Sequence, residues 1–333
     1  MLVVERSGAL SRRLDGVFGG DVVLEGSAVT PAELLGRVRV KKPSVALIEL
    51  SGNSSEVQKA IEGLMAEAPV PVVLVVEPEH RALAFPLLAT GALDVIELPA
   101  ELDEAFAERF RKQLRLLATV RVVRHPKGRR RRSSARIPAV KPSYPLVAIA
   151  SSLGGPKALA ELLGGIAPTL GAPIVICQHI TAGFTQGLAQ WLKTETGLKV
   201  QEAANGQRLV KGEVFIAPSR AHLVVQATGL LKLDDAAEEG GFRPSCDVLL
   251  RSAAASFGST AIGVILTGMG RDGAQGLLEV RQRGGHTVAQ DRESCAVFGM
   301  PKEAIALGAA ETVLPLGQIA GQITRLVAEL GKS

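Results

Sequence analysis

The stretch Leu146-Val147-Ala148-Ile149-Ala150-Ser151-Ser152-Leu153-Gly154-Gly155-Pro156-Lys157-Ala158-Leu159 decides the fold of the larger part of the chain. Its first five residues are apolar, and the four after Leu146 are small or β-branched, the composition of a strand buried on both faces. Gly154, Gly155 and Pro156 break the strand. Ala158, Leu159, Leu162 and Leu163 then recur at helical spacing. The reading is strand, tight turn, helix, with two serines at the turn. In a parallel α/β sheet the carboxyl ends of the strands carry ligands and chemistry. A Ser152 hydroxyl there lies over a helix N-terminus, whose free N–H groups and positive dipole end stabilise an oxyanion. The same serine also suits a helix N-cap, the ordinary use of Ser at such a turn.

Around this stretch lie 333 residues, enough for two domains of ordinary size. The chain is 47% hydrophobic but only 3% aromatic, so its cores are built from Ala, Val, Leu and Ile. Such cores suit parallel sheets covered by helices. No apolar run has the length of a membrane span, so membrane insertion is not expected. The N-terminus opens into a strand-like Leu2-Val3-Val4 without a signal-peptide layout. The three cysteines, Cys177, Cys246 and Cys295, are scattered and form no CxxC, which points to reduced thiols in a cytoplasm. No two His or Cys residues show metal-ligand spacing, and neither a metal nor a dinucleotide cofactor is expected. The net charge of +5 is modest and much of it sits in one run.

Residues 1–120 alternate strand and helix. Strands are expected at Leu2–Val4, Val22–Leu24, Val45–Glu49, Pro71–Val76 and Asp94–Ile96, each followed by a helix, the last over Leu102–Val120. Five βα units of this size predict a flavodoxin-like doubly wound domain. The phrases Leu2-Val3-Val4, Pro71-Val72-Val73-Leu74-Val75 and Gly91-Ala92-Leu93-Asp94-Val95 resemble a two-component receiver domain. The working parts of that family do not match. Its acid pair aligns with Glu5 and Arg6, its phosphoacceptor Asp with Glu49, its hydroxyl switch residue with Val76 and its lysine with Leu98. The extra methylene of Glu49 displaces the carboxylate from in-line geometry. Arg6 puts a cation where Mg²⁺ needs oxygen. The expectation is a degenerate, pseudo-receiver domain that is not phosphorylated. Glu49 there stands either as a fixed negative charge or in an ion pair with Arg6.

Residues 121–143 hold Arg129-Arg130-Arg131-Arg132 among Pro and Ser, without apolar periodicity, and read as an exposed basic linker. The segment lacks interleaved aromatics or a DNA-binding motif, so no nucleic acid partner is expected. An acidic protein partner docking on it remains open.

Residues 144–333 read as a second α/β domain with a doubly wound, mostly parallel sheet. Strands are expected at 146–150, 173–178, 199–201, 214–217, 261–266 and 287–290, with a hairpin of 223–225 and 230–233 around Thr228-Gly229. Helices are expected at 156–164, 184–196, 246–257, 273–283, 300–307 and 316–330. Three strands end in a reactive residue followed by turn chemistry: Ser152, His179 and, through Gly268-Met269-Gly270-Arg271, Asp272. If these strands are neighbours, a nucleophile, a base and an orienting carboxylate converge at one sheet edge. Asp272 also suits the N-cap of the helix that follows it. His222 either binds substrate or stabilises a loop; His286 reads as structural; Asp291 lies near the expected site edge. No GxSxG elbow is present, which disfavours an ordinary α/β-hydrolase.

The phrases Ala148-Ile149-Ala150-Ser151-Ser152-Leu153-Gly154-Gly155-Pro156, Gln178-His179-Ile180-Thr181-Ala182-Gly183-Phe184-Thr185 and Leu266-Thr267-Gly268-Met269-Gly270-Arg271-Asp272-Gly273-Ala274 resemble the serine, histidine and aspartate phrases of the CheB-type chemotaxis protein-glutamate methylesterases. Further likenesses are Ile216-Ala217-Pro218, Arg243-Pro244-Ser245-Cys246-Asp247-Val248-Leu249, and Ala289-Gln290-Asp291 with Gly299-Met300-Pro301. The resemblance implies a Ser152–His179–Asp272 triad and an oxyanion amide at Met269. The family's usual Thr after the serine is Leu153 here, which loses a side-chain hydrogen bond and keeps the backbone amide. The resemblance further implies hydrolysis of glutamyl methyl esters on chemoreceptor-type proteins, association with a chemosensory histidine kinase complex, and leaves open glutamine deamidation. A catalytically silent receptor-binding scaffold is the alternative.

Overall fold

The structure is a computed structural model that describes residues 2–4, 9–15, 17, 27–28, 31–50, 54–99, 102–119 and 144–331. The chain divides into two compact units, Met1–Lys127 and Gly128–Ser333.

The first unit runs β1 (Leu2–Val4), α1 (Ala9–Asp15), β2 (Ser27–Ala28), α2 (Pro31–Lys41), β3 (Ala46–Leu50), α3 (Ser54–Glu67), β4 (Val72–Val76), α4 (Arg81–Thr90), β5 (Asp94–Glu97) and α5 (Glu104–Leu117). Its strands form one sheet in the order β2-β1-β3-β4-β5, parallel throughout. This is the flavodoxin-like winding. The residues Val22–Leu24, expected as a strand, fall outside the described residues, and the strand that pairs with β1 is Ser27–Ala28. β3 continues to Leu50, so Glu49 lies inside the strand, half-buried and in register with Val75. Val76 and Leu98 are buried, and the Leu98 amide donates to the Val76 carbonyl. Glu5, Arg6 and the basic segment 121–143 lie outside the described residues. On β5 the Asp94 carboxylate accepts from Val95 N–H at 2.8 Å and from Gln113 Nε2 at 2.5 Å. Burial pushes its pKa up to about 6.

The second unit runs β6 (Leu146–Ser151), α6 (Gly155–Gly164), β7 (Ile174–Gln178), α7 (Thr185–Thr196), β8 (Lys199–Glu202), β9 (Glu213–Ile216), β10 (His222–Val225), β11 (Leu231–Asp234), α8 (Cys246–Phe257), β12 (Ala261–Ile265), α9 (Ala274–Gln282), β13 (His286–Gln290), α10 (Met300–Ala306), β14 (Thr312–Leu314) and α11 (Leu316–Leu330). Seven strands form a parallel sheet in the order β14-β13-β12-β6-β7-β9-β8. β10 and β11 form the expected antiparallel hairpin. β14 was not expected; it is a three-residue edge strand whose Val313 is exposed, too short to show an alternation.

β6 sits at the centre of this sheet, with β12 on one side and β7 on the other. The chain winds outward from β6 in both directions, so the crevice at the carboxyl ends of β6 and β12 is the topological switch point, where ligands bind in such sheets. All six residues of β6 are buried. Alternate residues serve opposite faces. Leu146, Ala148 and Ala150 of β6, with Val175 and Cys177 of β7, join one core with Cys246, Leu249, Leu250 and Ala253 of α8 and Leu277 and Val280 of α9. The register Ser151↔Gln178 ends the β6–β7 pairing. By the same alternation, Ser152 continues the Ala148–Ala150 series and His179 the Val175–Cys177 series. Both therefore emerge on the α8 side, one residue past the last paired rung.

Candidate active site

Ser152 begins the turn that the glycines allow. Its amide donates to the Thr267 carbonyl at 3.1 Å, which ties the serine loop to the strand end of β12. Its carbonyl accepts from Gln178 Nε2 at 2.7 Å; the same nitrogen reaches the His179 carbonyl at 2.7 Å, and Gln178 Oε1 accepts from Ser151 Oγ at 2.7 Å. One buried amide thus locks the serine and histidine loops together. Gly268 lies against the serine so closely that a Cβ there would stand 2.8 Å from Ser152 Cβ and would overlap Met300 Sδ. No side chain fits at that position.

His179 is held from several sides. Its amide donates to the Ser151 carbonyl at 3.0 Å. Its ring stacks on Phe242 with centroids 4.2 Å apart and planes within 4°. Nε2 bonds Asp272 Oδ2 at 2.9 Å and lies 3.6 Å from Cys246 Sγ. Nδ1 is buried and has no hydrogen-bond partner among the described residues. A neutral imidazole that donates from Nε2 to a carboxylate keeps its lone pair on Nδ1.

Asp272 is not the cap of the helix after it. Its Oδ1 accepts from Ser245 Oγ at 2.8 Å and Asp247 N–H at 3.0 Å, and its Oδ2 accepts from Cys246 N–H at 2.7 Å as well as His179. The carboxylate therefore sits on the N-terminus of α8, where free amides and the dipole favour negative charge. Asp247 takes the vacated capping role for α9, accepting from Gly273 N–H at 3.0 Å and Gly276 N–H at 2.6 Å. Asp272, from the loop before α9, thus serves the start of α8, and Asp247, from the first turn of α8, serves the start of α9. His222 supports this from behind: its Nδ1 accepts from Ser245 N–H at 3.1 Å while Nε2 donates to the Ala237 carbonyl at 3.0 Å. Of the two roles open for His222, loop support is the one observed.

The electrostatics follow. Burial pushes the Asp272 carboxyl up, but the His179 hydrogen bond and the helix amides hold it below its usual value. Burial lowers His179, yet Cys246 and Asp272 together raise it above the ordinary imidazole range. Burial also pushes the Cys246 thiol well up, so at neutral pH it carries no charge. The carboxylate of Asp272 is then the main source of the raised imidazole, so at neutral pH both ring nitrogens carry hydrogen and the Nδ1 lone pair that can accept a proton appears when His179 loses its proton.

Near Ser152, the amides of Leu153 and Met269 donate no hydrogen bond among the described residues. Leu153 is buried, and its carbonyl accepts from Thr267 Oγ1 at 3.0 Å. Leu153 and Gly154 lead directly into α6. A cavity of about 480 Å³ opens beside Asp272, lined among others by Phe242, Arg271, Gln275 and Glu303. Asp291 is spent on its own turn, accepting from Ser294 N–H at 2.9 Å and Ser294 Oγ at 2.6 Å. His286 pairs with Glu311 at 3.2 Å on the sheet margin. Cys177 Sγ, a His179 ring nitrogen and Cys246 Sγ lie within 4.8 Å of one another, the donor types that hold a soft metal. Linear spacing conceals this cluster, because Cys246 is 67 residues from His179. Gln178, Phe242 and Ser245 are further residues that reading the chain in order did not assign. Gln178 and Ser245 stood inside recognised phrases, whereas Phe242 carried no signal.

A family model described as CheB methylesterase matches residues 147–323. The chain is 48% identical over 322 residues to protein-glutamate methylesterase FrzG of Myxococcus xanthus, covering 94% of each. It is 44% identical over 284 residues to a protein-glutamate methylesterase/protein-glutamine glutaminase of Anaeromyxobacter dehalogenans, covering 84% of this chain and 82% of that one. The crystal structure of the Thermotoga maritima CheB methylesterase catalytic domain is similar with a TM-score of 0.54 and 40% identity, over 55% of this chain and 99% of that one. A strand-tip serine, a histidine bonded to a helix-held carboxylate, and these likenesses along nearly the whole length lead to one conclusion: the chain belongs to the CheB methylesterase family of carboxylic ester hydrolases.

Proposed function

We propose that the chain hydrolyses glutamyl methyl esters on chemoreceptor-type proteins through Ser152, His179 and Asp272. The observation that supports this most is the 2.9 Å bond from His179 Nε2 to Asp272, which leaves Nδ1 free for a hydroxyl. In this reading Ser152 Oγ attacks the ester carbonyl and its proton passes to Nδ1. The amides of Met269 and Leu153 hold the oxyanion. Collapse of the tetrahedral adduct expels methoxide, which leaves as methanol with the proton from His179. Water then adds to the acyl-enzyme by the same route and releases the glutamate carboxyl. A receptor glutamine would react identically, with ammonia as the leaving group. Asp272 keeps the imidazole in the tautomer this needs.

The same reading makes residues 1–120 a pseudo-receiver and 144–333 the catalytic domain, joined by the basic segment. Glu49 occupies the phosphoacceptor position, and the lysine and hydroxyl positions are apolar core. Regulation then runs without phosphorylation, through contact with a partner such as a chemosensory kinase complex. Among the described residues no helix is long and apolar enough to cross a membrane.

The test is methanol release from methylated receptor by the full chain. Ser152→Ala should lower it by about four to six orders of magnitude, and a fluorophosphonate probe should label Ser152. Wild-type turnover in that variant overturns the assignment; a wild-type chain that neither releases methanol nor takes the probe supports the scaffold reading instead. Small phospho-donors should leave methanol release unchanged, and label appearing on the first unit would contradict that.

A further inference from the structure

We infer that Cys177, His179 and Cys246 form a binding site for a thiophilic divalent cation of the zinc class, and that occupancy silences the hydrolase. The inhibitory half rests on His179 being the general base; the site itself does not.

The geometry carries the inference. Zn²⁺ binds thiolate at about 2.3 Å and imidazole at about 2.0 Å with tetrahedral angles, which sets a sulfur-to-nitrogen edge of about 3.6 Å. Cys246 Sγ and His179 Nε2 are 3.6 Å apart. All three donor atoms lie within 4.8 Å of one another, so small side-chain rotations bring the third to bonding distance. The scaffold is rigid. Cys177 is on β7, His179 is the first residue past its end, and Cys246 is the first residue of α8. Asp272, bonded to the same nitrogen, is anchored by Ser245, Cys246 and Asp247 and stands beside the cluster as an oxygen donor. Two thiols, an imidazole and a neighbouring carboxylate make a soft donor set with a built outer shell. The way in is past the His179 ring, whose side chain keeps 11% exposure.

Binding has a defined balance. The two thiols lose their protons to solvent as the cation bonds both sulfurs. The cation also takes the Nε2 lone pair, so the imidazole proton moves from Nε2 to Nδ1. Nδ1 then carries hydrogen and accepts none from Ser152. The bond to Asp272 is broken at the same time.

The experiment uses metal-free full-length protein with Cd²⁺ as the probe. The readouts are the thiolate-to-cadmium charge-transfer absorbance and labelling of Ser152 by a fluorophosphonate. We expect one Cd²⁺ per chain, labelling slowed at least tenfold, and recovery on adding chelator. Cys177→Ala should lose the band and label at the same rate with or without Cd²⁺, while Cys295→Ala should behave as wild type. Thermal melting confirms that each variant is folded, and Cys177→Val serves if the alanine variant is not. Absence of the band in wild type, or its persistence in folded Cys177→Ala or Cys177→Val, overturns the site. A band that disappears with Cys177 while Cd²⁺ leaves wild-type labelling unaffected upholds the site and overturns the inhibition, and with it the role of His179 as base.

Discussion

Replacing Asp272 by Asn tests the catalytic reading most directly, because the carboxylate accepts at both oxygens. Oδ1 takes Ser245 Oγ and Asp247 N–H; Oδ2 takes Cys246 N–H and His179 Nε2. An asparagine has one acceptor end. If its oxygen faces Ser245 and Asp247, its NH₂ points at the Cys246 amide, donor against donor, and at Nε2. His179 then accepts at Nε2 and carries its proton on Nδ1, the tautomer that cannot take a proton from Ser152. The serine-protease precedent for a carboxylate-to-amide change at this position is a loss of about 10⁴ in kcat through the wrong tautomer. That corresponds to about 5 kcal/mol of barrier. The orphaned Cys246 amide adds a stability cost of about 1–3 kcal/mol. The assay is methanol release under saturating substrate, with thermal melting to confirm that the variant is folded at the assay temperature. A folded Asp272→Asn variant retaining more than about a tenth of wild-type turnover would refute the role given to this carboxylate.

Gly268→Ala places a methyl against Ser152 Cβ and Met300 Sδ, so the serine loop must shift; we expect about 1–3 kcal/mol of destabilisation and about a hundredfold loss of methanol release, and unchanged turnover would show that the loop is not held by this contact. In the first unit, Asp94 keeps its proton up to about pH 6 because of burial. The folded state binds more protons than the unfolded chain between about pH 4 and pH 6, so stability falls as pH rises through that window. The deficit reaches at most about 3 kcal/mol, less where water screens the exposed edge of this half-buried residue. Asp94→Asn keeps the acceptor for Val95 and removes the titration; calorimetry of the full chain from pH 4 to 8 should show a flatter profile and higher stability at pH 8, and an unchanged slope would contradict the assignment.

Reading along the chain is enough to find the alternation of strand and helix, the buried character of β6 and β7, and three reactive residues where strands give way to turns. These are local properties: apolar period, glycine and proline breaks, and polar residues where a strand stops. The apolar character of Val76 and Leu98, on which the proposal of a degenerate receiver rests, is also plain whatever their surroundings. What depended on long-range packing stayed hidden. Strand order placed β6 between β7 and β12 and so brought Ser152, His179 and Asp272 to one rim. The helix that receives Asp272 was legible only in space: the residue before Gly273 suits a cap of α9, yet it turns to α8 and leaves that cap to Asp247. The stacking of Phe242 on His179 and the meeting of Cys177 with Cys246 arise where a hairpin-side loop and a helix start fold over β7. Spacing along a chain reports which face a residue takes within its own element; which other element lies against that face is set by how the elements bury their apolar surfaces together.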